Sequence, residues 1–162
     1  MIRALVTFGY VGLLRPAPGT WGSLAAVLTG LAILRFAGFP ALVAATAAVT
    51  ALGFWAVDRA VAGQADKDPS EIVIDEVAGQ WLALLFPAAA FWWQGWQGWL
   101  PWPAPVAAFI LFRLFDVWKP WLVGRADRRG DAAGVMLDDL WAGLFAGLAT
   151  LAAAALAHGM VM

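Results

Sequence analysis

Two carboxylate pairs stand at the starts of apolar runs: Asp75 and Glu76 in DPSEIVIDEVAGQW, and Asp138 and Asp139 in GVMLDDLWAG. Carboxylate oxygens drawn from separate segments suit Mg²⁺, a hard cation that takes one or two carboxylates together with waters and phosphate oxygens. Neighbours on a helix lie about 100° apart, so one member of each pair would face the centre and the other would back it. A third cluster sits in FILFRLFDVWKPWL, where Arg113, Asp116 and Lys119 fall at i, i+3 and i+6, on one stripe of a predicted helix. Ionisable groups inside a membrane-length segment are costly and usually face the protein interior or a polar cavity. That favours a site for anionic oxygen over a plain ion pair with a snorkelling lysine. In RPAPGTWGS, proline and glycine predict a tight turn before a helix that Thr20 or Ser23 would cap. The same turn offers N–H groups and hydroxyls to a phosphate. GRADRRGD adds Arg125, Arg128 and Arg129.

Carboxylates for a divalent metal, cations for anionic oxygen and a membrane-surface position together point to metal-assisted phosphoryl chemistry on a lipid headgroup. Other phosphatase routes fall away. The chain has no cysteine, so thiol nucleophiles and thiolate metal sites are excluded. Its one histidine, His158, lies near the C-terminus, at the predicted far side of the membrane from the carboxylates. Asp66-Lys67-Asp68 imitates the D-x-D of aspartyl-phosphate enzymes, but AGQA before it is no buried strand and Pro69-Ser70 does not continue the pattern. A net charge of -1 gives no preference for nucleic acid, and no such partner is expected.

The positioning elements follow from composition. Hydrophobic residues make up 63% of the chain and charged residues 13%, against about 25% charged in soluble domains. The expected fold is an all-α polytopic membrane bundle, one domain over 1–162, with about four or five spanning or re-entrant helices. The predicted spans are 23–38, 40–57, 77–93 with a kink at Pro87, 105–122 and 137–157. Polar loops join them at 58–76 and 119–139. A third loop, QGWQGWLPWPAP, is uncharged, and its Trp96, Trp99 and Trp102 suit the headgroup region. With the N-terminus inside and retained, five spans place Arg3, Arg15, Arg59, Lys67, Lys119, Arg125, Arg128 and Arg129 in the cytoplasm and Arg35 alone outside.

In order along the chain, GLLRPAPGTWGSLAA, DPSEIVIDEVAGQW, FRLFDVWKPW and GVMLDDLWAG resemble the phosphatidylglycerophosphatase A family. Its members are Mg²⁺-dependent membrane enzymes that convert phosphatidylglycerophosphate to phosphatidylglycerol and phosphate. The resemblance implies that Asp75, Glu76, Asp138 and Asp139 are catalytic and metal-binding carboxylates, with Asp68 as a further metal ligand and Asp116 as a further catalytic acid. It assigns Arg113, Lys119, Thr20 and Gly19 to the phosphate or headgroup, and Arg128 is grouped with them. It also implies a bacterial inner-membrane enzyme whose site faces the cytoplasm and whose partner is a membrane phospholipid. The chain departs from the family before GVMLDD, where GDAA replaces a glycine-rich stretch and runs about one residue short. Water and an aspartate both stay open as nucleophile. Two other classes are the alternatives: a CDP-alcohol phosphotransferase, whose continuous D-G and A-R signature is missing, and a small transporter, which would favour duplicated halves and mid-membrane charges.

Overall fold

The computed structural model describes residues 1–159, with side chains as far as Ala157. The side chain of His158, and with it the side predicted for that residue, lies outside the described residues. Among the described residues there are seven α-helices and no strand. They are α1 (Ile2–Val6), α2 (Pro18–Ala37), α3 (Phe39–Ala60), α4 (Ile74–Trp93), α5 (Pro103–Trp118), α6 (Leu122–Asp127) and α7 (Ala132–Gly159). The all-helical expectation holds. α2, α3 and the Ala132–Ala157 stretch of α7 are each long and apolar enough to cross a membrane. The 20 residues of α2 correspond to a rise of about 30 Å, the thickness of a bilayer's hydrocarbon core.

Helix starts follow proline. Pro18, Pro40 and Pro103 occupy the first turns of α2, α3 and α5, where a missing N–H costs nothing. Between α2 and α3 the chain reverses on Gly38 alone, at φ +86°, a conformation that a side chain would strain.

α4 is the central helix, packed against α2, α3, α5 and α7. Its contact with α2 includes a hydrogen bond donated by Trp81 Nε1 to the Ala26 carbonyl, 2.8 Å. Its contact with α7 is made through glycines. Gly79 lies against the Asp139 carbonyl and the Phe112 ring, Gly143 against the Gly79 backbone, and Gly147 against the Phe86 ring. Small residues of this kind let helices approach within a bilayer, where no hydrophobic force drives them together. Outward faces carry Leu28, Phe36, Ile110, Val117 and Leu156, all exposed and suited to lipid.

Three predicted boundaries need correction. α2 begins at Pro18, not Ser23, so neither Thr20 nor Ser23 caps it; Ser23 Oγ donates instead to the Gly19 carbonyl, 2.8 Å. α5 ends at Trp118, not Leu122, because Pro120 disfavours helical backbone at the residue before it, and Lys119 adopts φ +52°. The i, i+3, i+6 stripe therefore stops at Asp116, and Lys119 leaves it. α7 begins at Ala132 rather than Leu137, because Asp131 Oδ1 accepts the Gly134 N–H at 2.7 Å and so satisfies a free first-turn donor. Asp138 and Asp139 stand well inside that helix. Asp75 and Glu76 do occupy the first turn of α4, which continues as helix through Pro87.

Candidate active site

The starts of α2, α4 and α7 and the ends of α3 and α5 meet at one end of the bundle. The N-terminal segment closes over them: Arg3 pairs with Glu71 at 3.2 Å, and Val73 N–H donates to the Val6 carbonyl at 2.8 Å. Within this end lies a polar cavity of about 320 Å³. α2 contributes Pro18, Gly19 and Thr20; the 61–73 loop contributes Asp68 and Ser70; α4 contributes Asp75 and Glu76. Arg113 and Asp116 of α5, Lys119 just beyond it, and Asp138 and Asp139 of α7 bring the remaining charges, and Ala17, Ile72 and Val135 complete the lining. A larger cavity, about 600 Å³, opens at the opposite end between aromatic side chains and has no carboxylate in its lining.

Oxygens of Asp75, Glu76 and Asp139 all lie within 4.8 Å of one another. Asp75 and Asp139 are 5% and 3% exposed, and Glu76 Oε2 is buried without a hydrogen-bond partner among the described residues. Three carboxylates held this close out of water repel one another unless a cation joins them. Their all-oxygen donor set, drawn from two helices, fits a hard divalent ion. The glycine contact brings them together, since Gly79 touches the Asp139 carbonyl one turn below Asp75 and Glu76.

The cations are placed around this group. Arg113 Nη1 pairs with Asp116 Oδ2 at 2.6 Å and donates to Ser23 Oγ at 3.4 Å. Gly19 fills the gap between Arg113 and Glu76: a Cβ there would sit 3.3 Å from both Arg113 Nη1 and Glu76 Cδ. Lys119 Nζ pairs with Asp138 Oδ2 at 3.0 Å and with Asp127. Burial opposes the charged ammonium of Lys119, but hydrogen bonds to Asp127 and Asp138 outweigh it and hold its pKa above the ordinary lysine value. The left-handed backbone at Lys119 turns its side chain toward α7, where it neutralises Asp138.

Of the residues singled out by sequence, Gly19, Thr20, Asp68, Asp75, Glu76, Arg113, Asp116, Lys119, Asp138 and Asp139 all line this cavity. Asp138 and Asp68 stand apart from the close carboxylate trio. Arg128 is exposed and is not in this lining, and a Cβ on Gly124 would come 3.2 Å from its Nη1. The short helix α6 carries it away from the cavity. Three features escaped sequence reasoning. Asp127 is hidden among the arginines of GRADRRGD, and the contact of Ser23 Oγ with Arg113 joins residues 90 apart in the chain. Gln80, one turn below Glu76, is fully buried, and neither side-chain amide atom has a hydrogen-bond partner among the described residues; its burial leaves no signal beyond an amide in an apolar run.

A helical membrane bundle with a buried carboxylate trio, an arginine and a lysine around one polar cavity is a centre that can hold a cation and an anion together. Comparison with known families makes this specific: residues 4–154 match the family model for phosphatidylglycerophosphatase A. The chain belongs to that family and is a membrane phosphatase, as its four motifs implied. It is 35% identical over 137 residues to phosphatidylglycerophosphatase A of Haemophilus influenzae, covering 83% of this chain and 77% of the relative. It is 36% identical over 134 residues to a Bacteroides thetaiotaomicron protein named "Putative phosphatidylinositol-3-phosphatase", covering 80% and 78%. No solved structure matches the chain.

Proposed function

We propose that the chain hydrolyses phosphatidylglycerophosphate to phosphatidylglycerol and phosphate, using Mg²⁺, at the cytoplasmic face of a bacterial inner membrane. The observation that carries this reading is the carboxylate trio beside Arg113 and Lys119, in a cavity at the end of apolar helices. A substrate whose acyl chains stay in the bilayer would present its terminal phosphate at that depth. The sidedness rests on the basic residues, which gather with Arg3, Arg15 and Arg125 at the cavity end, as the cytoplasmic bias of lysine and arginine expects.

Asp75, Glu76 and Asp139 would hold Mg²⁺, whose chemistry when bound is to polarise the phosphoryl group and neutralise its charge. Arg113 presents its guanidinium to the phosphate oxygens while Asp116 fixes its orientation through the ion pair. Lys119 adds a second positive charge, steadied by Asp127 and Asp138. Thr20, in the first turn of α2, offers a hydroxyl beside the free N–H groups of that turn. In the reaction the nucleophile's oxygen bonds phosphorus, the ester P–O bond breaks, and the departing glycerol oxygen takes a proton.

The test is release of inorganic phosphate by purified protein in mixed micelles, with Mg²⁺ or with a chelator. Phosphatidylglycerophosphate, phosphatidylinositol 3-phosphate and phosphatidic acid are compared; the second is included because of the Bacteroides relative. Folded protein that releases no phosphate from the first would sink the proposal, and preference for the second would replace its substrate. Asp75→Asn should abolish turnover and the Mg²⁺-induced rise in melting temperature while leaving membrane insertion intact.

A further inference from the structure

The larger cavity, at the opposite end of the bundle, has a different chemistry. It occupies about 600 Å³ between the α2–α3 turn and the end of α4 with its following loop, within the roughly 300–1,000 Å³ usual for small-molecule sites. Of the 11 acidic and 10 basic residues in the chain, Arg35 alone lies at this end. Its guanidinium stands 5.7 Å from the Phe36 ring centroid, and it has no carboxylate partner among the described residues. An arginine beside a cavity with no counter-charge among the described residues offers its charge to an anion.

The walls around it are built from interlocked rings. Phe39 stacks on Trp92 at 5.1 Å, and Phe91 meets Trp96 edge-on at 5.8 Å. Trp96 Nε1 donates to the Trp99 carbonyl at 3.1 Å, tying down the loop. The first turn of α3 also opens here, at Gly38 and Phe39. Exposed Trp93 and Trp102 mark the headgroup level beside it. From the cavity, exposed Leu28 and Leu24 continue along α2 toward mid-membrane on the helix face that carries Arg35, a surface fitted to an acyl chain. A soluble anion would use only the arginine. A phospholipid uses the arginine, the rings and the apolar track together.

We propose that this cavity binds an anionic phospholipid of the adjacent leaflet, its headgroup phosphate on Arg35 and one acyl chain along α2, at a site separate from the catalytic cavity.

The experiment is native mass spectrometry of the full chain in detergent, titrated with phosphatidylglycerol, phosphatidylcholine or diacylglycerol. The carboxylate-end cavity can also retain phosphatidylglycerol, so Arg35→Gln and Arg113→Gln are each compared with wild type. Expected is saturable retention of two phosphatidylglycerol molecules, preferred over phosphatidylcholine, with no retention of diacylglycerol. Arg35→Gln should weaken one of the two by about tenfold or more, the loss of a charge-assisted phosphate contact, and Arg35→Lys should restore most of it. Unchanged binding in Arg35→Gln overturns the proposal, as does displacement by millimolar inorganic phosphate, which would make the occupant a free anion. Hydrogen exchange on the wild-type chain gives a check that needs no variant. Phosphatidylglycerol should protect the amides of Phe39 and Ala41 more than phosphatidylcholine does; equal protection also overturns the proposal.

Discussion

Gly79→Ala puts the smallest added side chain at the point where α4 and α7 touch, and it measures how tightly that contact sets the carboxylate trio. The new Cβ would overlap the Asp139 carbonyl oxygen and lie 2.9 Å from its carbon and 2.6 Å from Phe112 Cε2, where ordinary contact begins at 3.4 Å. The Phe112 ring can turn aside, but the Asp139 backbone cannot, so α7 must retreat by at least about 0.5 Å. Asp139 would move with it, away from Asp75 and Glu76. A misplacement of 1 Å can cost about 10²-fold in rate, so half that distance predicts roughly tenfold or more in kcat. Overpacking of this size costs about 1–3 kcal/mol, which leaves a folded but less stable protein. The assay is phosphate release at saturating lipid phosphate and Mg²⁺, with melting temperature measured on the same sample. Gly147→Ala is the control on the same interface: its Cβ meets the Phe86 ring two turns deeper, so stability should fall with kcat nearly intact. Wild-type kcat in Gly79→Ala, or an equal loss in Gly147→Ala, would refute the claim that this crossing positions the trio.

Arg113→Gln should lower kcat/KM by about 10–100-fold through a lost charge-assisted contact, whereas exposed Arg128→Gln should stay within about twofold; steady-state kinetics on both variants decides between them. Lys119→Met leaves Asp138 buried beside no cation, and breaking such a pair costs about 3 kcal/mol or more, readable as a lower melting temperature. Because the folded pKa of Lys119 lies above its ordinary value of 10.5, the stability it contributes is fully present below pH 10.5 and is lost as pH rises through the folded value. The melting temperature of wild type should hold to about pH 10 and then fall, and Lys119→Met should lack that component; a wild-type decline already complete by pH 9 would contradict the Lys119 assignment.

Most of the site could be read from residue types, because ionisable groups in apolar runs have few structural reasons to be there. Asp75, Glu76, Asp116, Arg113 and Asp139 each stood out in this way, and each lines the cavity. Partnerships were less visible. Asp138 and Asp139 are adjacent in sequence, yet one joins the trio and the other faces Lys119, a division set by the angle between successive positions on α7. Lys119 looked like the third member of a helical stripe, and only the backbone imposed by Pro120 shows that it leaves it. Arg128 resembled its basic neighbours until α6 took up part of what had read as a loop. Gly79 and Gly143 carry no chemistry of their own, so their role waits on knowing which helices cross. Apolar runs located α2, α3 and α7 as membrane-length helices because helix length in a bilayer is a physical requirement, whereas the predicted spans 77–93 and 105–122 are helices that do not reach that length and apolarity together. Their ends were less exact because caps and prolines decide them locally.

The uneven distribution of charge also governs how the chain can enter a membrane. Each lysine, arginine or aspartate carried to the bilayer centre costs about 2.5–3.5 kcal/mol on insertion scales. The turn between α2 and α3 would bring across only Arg35, and residues 94–102, between α4 and α5, carry no charged side chain. The α2–α3 hairpin can therefore insert with one translocated charge, followed by α7, whose distal half contains no Asp, Glu, Lys or Arg. The opposite orientation would require moving the whole charged end through hydrocarbon. The charge distribution therefore biases insertion toward one orientation before any substrate is met.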